Sequence, residues 1–173
     1  MVVRISDKTQ NYSKVTKLLV KPLVFTSLIQ KDIKSGFDYL NRIDEQFTDD
    51  LDLRMYKCLL YYFGHEYTKS KECIASFFRD VKDSKYHKSF IRALKYMMDN
   101  KPMKAIANFE TCYQIALKNG QYDRAIFVLK QLNELYLDHG LQNKLKKVKE
   151  LQENFYKMSY ANQIIGEIGL KLN

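Results

Sequence analysis

The segment LNELYLDHG, residues 132–140, is the most informative stretch of this sequence. Leu132 and Tyr136 lie four positions apart and therefore share one face of a helix. Gly140 follows shortly afterwards and can adopt the left-handed backbone conformation that ends a helix. The segment predicts an amphipathic helix over residues 121–138 that stops at a glycine turn.

The same apolar spacing predicts helices along most of the chain. Short turn segments such as Asn119-Gly120 and Gly64-His65 separate the helices, and links this short favour antiparallel hairpins. The first helix is predicted to start at Pro22, because proline is favoured in the first turn. The later helices are predicted at residues 33–47, 51–63, 69–82, 86–99, 102–118, 121–138, 141–158 and 161–172.

Comparison of the chain with itself shows an internal repeat. The stretch ALKYMMDNKP, residues 93–102, lies 40 positions before NELYLDHGLQ, residues 133–142, so that Tyr96 aligns with Tyr136. One hairpin cannot bury both of its apolar faces, but stacked hairpins can. We therefore predict an all-α solenoid of about four antiparallel helical hairpins with a C-terminal capping helix. This domain is expected at residues 22–173, after a basic segment at residues 1–21.

The repeat resembles the tetratricopeptide type. In that family the first helix carries Leu and Tyr ahead of a Gly turn, and the second carries Ala with an aromatic residue four positions later. Leu132, Tyr136 and Gly140 match the first half, and Ala105 and Phe109 match the second. The 40-residue spacing is most similar to the peptide-sensing repeat domains of Gram-positive quorum-sensing regulators of the Rap, Rgg and PlcR type. Many of those proteins carry a DNA-binding helix-turn-helix ahead of the repeats, and we expect none here.

A stacked array places the first helix of each hairpin on its concave side, where polar groups can pair with a peptide backbone. The predicted function is therefore non-catalytic recognition of an extended peptide or protein segment, as in a regulatory or signalling adaptor. Asn133 can both donate and accept hydrogen bonds, and the resemblance implies such a role for asparagines on first helices. A packing amide is the alternative for Asn133. The predicted contact residues are Lys130, Asn133, Glu134, Leu137, Phe90, Leu94 and Met97.

Signatures of catalysis and of metal binding are missing from the sequence. No glycine-rich phosphate loop, nucleophile elbow or H-E-x-x-H motif occurs. The aspartates before residue 51 are expected to cap a helix rather than to act as acids or bases. The cysteines form no C-x-x-C pair, and the histidines are isolated. We therefore expect no enzyme activity, cofactor, metal or disulfide framework. The residues concerned are Asp49, Asp50, Asp52, Cys58, Cys73, Cys112, His65, His87 and His139.

The chain contains 29 Lys+Arg and 20 Asp+Glu residues, which gives a formal net charge of +9. Its basic ends flank a slightly acidic middle, which argues against a continuous nucleic-acid stripe. The densest basic stretch is either a solvated face or a phosphate-binding patch, and it consists of Lys144, Lys146, Lys147 and Lys149. The alternative function is therefore a transcriptional regulator, as its sensor or oligomerisation half, or a basic nucleic-acid-binding protein.

Two further expectations concern location and assembly. No apolar run approaches the roughly 18 residues that span a bilayer, and no signal-peptide pattern is present. We therefore expect a soluble cytoplasmic protein without a membrane partner. The apolar stripe of Ile164, Ile165 and Ile168 either caps the array or pairs with a second copy in a homodimer.

Overall fold

A computed structural model describes residues 11–42, 50–81 and 83–154 of the protein, and all regular structure in these ranges is helical. The prediction of an all-α fold is confirmed. The helices are α1 (Asn11–Gln30), α2 (Ile33–Leu40), α3 (Leu51–Phe63), α4 (Tyr67–Asp80), α5 (Lys85–Met98), α6 (Pro102–Lys118), α7 (Tyr122–Asp138) and α8 (residues 142–154). None of the described helices is both long enough and apolar enough to cross a membrane.

Five of the described helix ends share one turn geometry, which explains the repeat seen in the sequence. In each turn a backbone N–H just beyond the helix donates to the carbonyl oxygen five residues earlier, a hydrogen bond of the Schellman type. These bonds join Asp32 to Ser27, Glu66 to Tyr61, Lys101 to Tyr96, Gln121 to Ala116 and Leu141 to Tyr136. The residue before each donor has a positive φ, and these residues are Lys31, His65, Asn100, Gly120 and Gly140.

The predicted glycine turns are confirmed at Gly120 and Gly140, where φ is +66° at both. The turn at Gly64-His65 differs in detail. Gly64 has an ordinary φ of −78°, and His65 takes the left-handed position with a φ of +61°.

Consecutive helices pack as antiparallel hairpins that stack side by side. The helix pairs α1/α2, α3/α4 and α5/α6 are in contact, α5 also packs on α3 and α4, and α7 packs on α6. The fourth residue of each second helix in the later hairpins is buried, and these residues are Ser70, Ala105 and Leu145. The described helices therefore form a helical-hairpin solenoid, as predicted.

The side chains of α1 reach both α3 and α7, so α1 lies on the concave side of the stack. The Phe25 ring lies 5.8 Å from the Tyr56 ring of α3 and 5.2 Å from the Phe127 ring of α7. Phe127 in turn stacks on Phe90 of α5 at 5.9 Å. One aromatic side chain from each of the four inner helices, α1, α3, α5 and α7, thus builds the centre of the fold. We call these four residues the inner aromatic cluster.

Two predicted helix limits are wrong by more than two residues, whereas α4 and α5 are shifted by only one or two. Pro22 lies inside α1 rather than in the first turn of a helix, and α1 therefore crosses the predicted boundary between residues 21 and 22. Val20 and Val24 are buried on either side of Pro22, which is itself exposed. The free energy gained by burying this apolar face offsets the loss of the backbone hydrogen bond that proline cannot make. Helix α2 ends at Leu40, and not at residue 47.

Some predicted features lie outside the described ranges. These are residues 1–10 of the basic segment, the last part of the helix at 141–158, and the capping helix at 161–172. The stripe of Ile164, Ile165 and Ile168, with its expected role in a homodimer, also lies outside the described residues.

Candidate binding site

The four inner helices meet in a charged cluster at one end. Asp52 of α3 is buried there and lies 2.6 Å from the Lys21 ammonium of α1. Its Oδ1 is 2.8 Å from Nε2 of His87 on α5. Nη2 of Arg124 on α7 lies 2.7 Å from both carboxylate oxygens. We call these four residues the Asp52 cluster.

The Asp52 cluster holds the inner helices in register rather than offering a site to a ligand. Burial alone would raise the pKa of Asp52, but hydrogen bonds from His87 and Lys21 and the charge of Arg124 outweigh it and hold the pKa well below its ordinary value. The Arg124 guanidinium also covers the Tyr86 ring at 5.0 Å. Every oxygen of the carboxylate therefore already has a partner within the protein.

Asp50 and Asp52, at the start of α3, have different roles. Asp50 caps the helix, because its Oδ1 accepts from the backbone N–H groups of Asp52 and Leu53 at 2.9 and 3.1 Å. The predicted capping role is confirmed for Asp50. Asp52, which the sequence grouped with it, is the centre of the cluster instead.

The concave face of α7 binds a segment of the protein itself. The Lys130 ammonium donates to the backbone carbonyl of Ile29, in the last turn of α1. Glu134 forms an ion pair with Lys31 at 3.0 Å, directly after α1 ends. Lys130 and Glu134 were predicted to contact an external peptide. In this structure Lys130 contacts α1, and Glu134 contacts Lys31, the first residue after it. Helix α1 thus occupies the groove that the sequence predicted to be open.

The other predicted contact residues differ in their access to solvent. Phe90 and Leu94 are fully buried and present no surface to a ligand. Leu137 is 59 % exposed, and Met97 is half-buried. The side-chain oxygen of Asn133 is buried and accepts no hydrogen bond from the described residues. A packing amide would need a hydrogen-bond donor to this oxygen, and none of the described residues supplies one.

An open cleft of about 320 Å³ remains at the other end of the inner helices, where α1 ends. It is bordered by the turn between α3 and α4, the last turns of α7, the end of α5, and the start of α2. We call it the rim cleft. The residues that line it are Lys31, Ile33, Tyr62, Phe63, His65, Tyr67, Met97, Gln131, Glu134, Leu135 and Asp138.

The rim cleft combines an acidic wall with an aromatic wall. Glu134 and Asp138 lie one helical turn apart on α7, and Asp138 is exposed and makes no ion pair with another described residue. At the turn between α3 and α4, the Tyr62 and Tyr67 rings lie 5.8 Å apart, and Tyr67 Oη is 3.0 Å from Nδ1 of His65. Carboxylates beside aromatic faces are suited to a cationic side chain with an apolar stem.

The basic stretch on α8 is partly neutralised within the protein. The Lys144 ammonium lies 2.8 Å from Glu110, which also accepts from Tyr136 Oη at 2.7 Å. Lys146, Lys147 and Lys149 are exposed. Among the described residues, no group of three or more His, Cys, Asp or Glu side chains is arranged to hold a metal ion.

Comparison with known proteins places the chain in no family: no family model, no curated protein and no solved structure matches it. The resemblance to tetratricopeptide-type sensors therefore stays a prediction. The function of the chain has to be inferred from its own geometry.

Sequence reasoning found two residues of the rim cleft, Glu134 and Met97, and missed the others, Asp138 among them. Glu134 and Met97 were among the predicted contacts, because they lie on the first helices of their hairpins. Tyr62, His65 and Tyr67 were overlooked, although they surround the turn that repeats the pattern of an aromatic residue followed by a helix end. That recurring turn was the signal that could have identified them.

Proposed function

We propose that this protein is a non-catalytic binding domain, a regulatory or signalling adaptor that recognises a peptide segment of a partner. The segment enters at the rim cleft, where the concave side of the solenoid remains open. The observation that carries the proposal is the position of Asp138, an exposed carboxylate without an ion-pair partner among the described residues, in the same cleft as two tyrosine rings.

The contacts of α1 support a binding role for the concave surface. Lys130 binds a backbone carbonyl, Glu134 binds a lysine, and Phe127 packs against a phenylalanine. The surface therefore already recognises a peptide segment of the same chain through backbone, charged and apolar contacts. These are the contact types by which a groove recognises a helix or an extended peptide.

The chemistry of the cleft defines the segment that it favours. We expect a Lys or Arg side chain whose ammonium or guanidinium reaches Asp138 and whose stem lies on Tyr62 and Tyr67. Apolar neighbours of that residue would contact Ile33 and Met97. A charge-assisted hydrogen bond of this kind contributes about 1.5–3 kcal/mol to binding.

The experiment selects peptides from a random display library on the full chain and measures their affinities by fluorescence polarisation. We expect the selected peptides to contain a basic residue next to apolar ones. The Asp138→Asn substitution should lower the affinity of the protein for these peptides about tenfold or more. Asp38→Asn is the matched control, because Asp38 is exposed on α2 and does not line the cleft.

Two outcomes would overturn the proposal. One is a library that yields no peptide above background. The other is a set of peptides that bind Asp138→Asn as tightly as the unchanged protein. Duplex DNA that raises the melting temperature when no peptide does so would favour the nucleic-acid alternative, with a steep loss of binding in added salt.

A further inference from the structure

Two cysteines lie on the two packed helices of the α3/α4 hairpin. Cys58 is buried on α3, Cys73 is half-buried on α4, and both are free. The hydroxyl of Ser70 donates to the backbone carbonyl of Cys58 at 3.1 Å. Cys73 lies three positions after Ser70 and therefore shares its helix face. This contact brings the turn of α4 that carries Cys73 directly onto Cys58.

The two thiols interact, and the interaction shifts their pKa values in opposite directions. Donation from the Cys58 thiol lowers the pKa of Cys73, against the opposing effect of burial, and the nearby cations of Lys57 and Arg54 lower it further. Glu72 acts in the opposite direction. The same hydrogen bond, together with burial, raises the pKa of Cys58.

This arrangement is typical of a reactive thiol beside a resolving thiol. The thiolate is the nucleophilic form of cysteine, and a partly exposed sulfur with a stabilised negative charge is the one that meets an oxidant. A second thiol in contact with it can then close a disulfide. Cys73, which is partly exposed and has the lowered pKa, corresponds to the reactive thiol. Cys58, which is buried beside it, corresponds to the resolving thiol.

We propose that Cys58 and Cys73 form a redox-responsive pair, in which a peroxide oxidises Cys73 and Cys58 then closes a disulfide between α3 and α4. This inference does not depend on the proposed function of the rim cleft. It concerns a modification site in the described part of the chain.

The reaction proceeds in two balanced steps. The Cys73 thiolate attacks one oxygen of hydrogen peroxide, the O–O bond breaks, and the departing hydroxide takes up a proton to give water and a sulfenic acid on Cys73. The Cys58 sulfur, having lost its proton, attacks the Cys73 sulfur. The S–O bond breaks, and the second oxygen leaves as water. Two thiols are oxidised by two electrons in total, and one peroxide is reduced to two waters.

The third cysteine of the described residues is an internal control. Cys112 is buried, and its thiol donates to the backbone carbonyl of Tyr86 at 3.4 Å. Burial raises its pKa. Neither a thiolate nor access for an oxidant is available to it in the folded protein.

The test treats the folded full chain with a small excess of hydrogen peroxide, blocks the remaining thiols by alkylation, and maps the peptides by mass spectrometry without reduction. We expect a Cys58–Cys73 cross-link, an intact mass reduced by two hydrogen atoms, and reversal by dithiothreitol. Cys112 should remain free and react at least about tenfold more slowly than Cys73.

Two variants separate the formation of the sulfenic acid from the closure of the disulfide. In Cys58→Ser the reaction should stop at the sulfenic acid of Cys73, which dimedone traps, whereas Cys73→Ser should not be oxidised at Cys58 on the same time scale. Three results would overturn the proposal: a folded protein without the cross-link, Cys112 oxidised as fast as Cys73, or disulfides only between different molecules. The cross-link in the unchanged protein decides the question even if a variant does not fold.

Discussion

Arg124 and Asp52 are 72 positions apart in the sequence, and one guanidinium nitrogen of Arg124 lies 2.7 Å from each of the two Asp52 carboxylate oxygens. The contact joins α7 to α3, and Lys21 and His87 bring α1 and α5 to the same carboxylate. A single buried anion therefore links all four inner helices, and its removal should affect the whole stack.

Asp52→Asn is expected to destabilise the protein strongly. Removal of the anion leaves the Lys21 and Arg124 cations close together without the charge that balances them. Loss of one partner from a buried ion pair costs about 3 kcal/mol or more. Urea unfolding followed by circular dichroism measures the loss. Asp38→Asn on the exposed side of α2 is the control and should change the free energy of unfolding by less than about 0.5 kcal/mol. Equal effects of the two variants would contradict this role.

The stability that Asp52 supplies should depend on pH in one direction. Its pKa is lower in the folded protein than the ordinary value of 3.8, so the folded state favours the charged form. This contribution is present above pH 3.8 and is lost as the pH falls through the lower folded pKa. Unfolding free energies at a series of pH values should therefore show the difference between the unchanged protein and Asp52→Asn shrinking on acidification. A difference that grows would contradict the assignment.

Phe25→Ala should loosen α1 from the concave side. Phe25 is half-buried between Tyr56 and Phe127, and its truncation should cost about 2 kcal/mol. Amide hydrogen exchange should increase over α1 before it increases over α5 and α6. Leu23→Ala is the matched control on the same helix, because Leu23 is 40 % exposed. If the two variants exchange alike, the inner aromatic cluster does not hold α1.

Lys130→Met should weaken the end of α1 while keeping the apolar stem of the side chain. Carbonyl groups in the last turn of a helix have no partner within that helix, and the Lys130 ammonium supplies one to Ile29. We expect a loss of about 1 kcal/mol, with faster exchange confined to the last turn of α1. Lys146→Met on the exposed side of α8 should have no such effect.

Gly120→Ala tests the repeated turn. A Cβ at this position would meet no atom within 4 Å, and φ is +66°. The whole cost is therefore backbone strain, about 1 kcal/mol. Thermal unfolding measures it. Asn119→Ala should be nearly neutral, because Asn119 is exposed with an ordinary φ of −93°. A neutral Gly120→Ala would show that the left-handed turn is not required.

Comparison of the predicted and observed helix limits shows which limits local sequence patterns determine. The helices at residues 51–63 and 102–118 are found with the predicted limits, because apolar spacing and the turn residues at their ends act within a few positions. Pro22 misled the prediction at α1, since its local preference for a first turn was overcome by the burial of Val20 and Val24 on the opposite side of the helix.

The candidate site was less predictable than the fold. Glu134 could be placed on a concave helix from periodicity alone, yet its neighbour Lys31 lies about a hundred residues earlier. Likewise, nothing near Asp52 in the sequence distinguishes it from the capping Asp50. Partners of this kind depend on which faces of distant helices meet, and no pattern within one helix contains that information.

The sequence by itself determined most of the helices, the left-handed turns at Gly120 and Gly140, and the pairing of helices into stacked hairpins, because these follow from side-chain spacing and backbone preferences over short distances. Only the tertiary structure decided that α1 fills the concave side, that Asp52 joins four helices, and that an open cleft remains beside Asp138. These features arise when the curvature of the whole stack brings its first helix onto its last inner helix, and that curvature is the sum of many small packing angles.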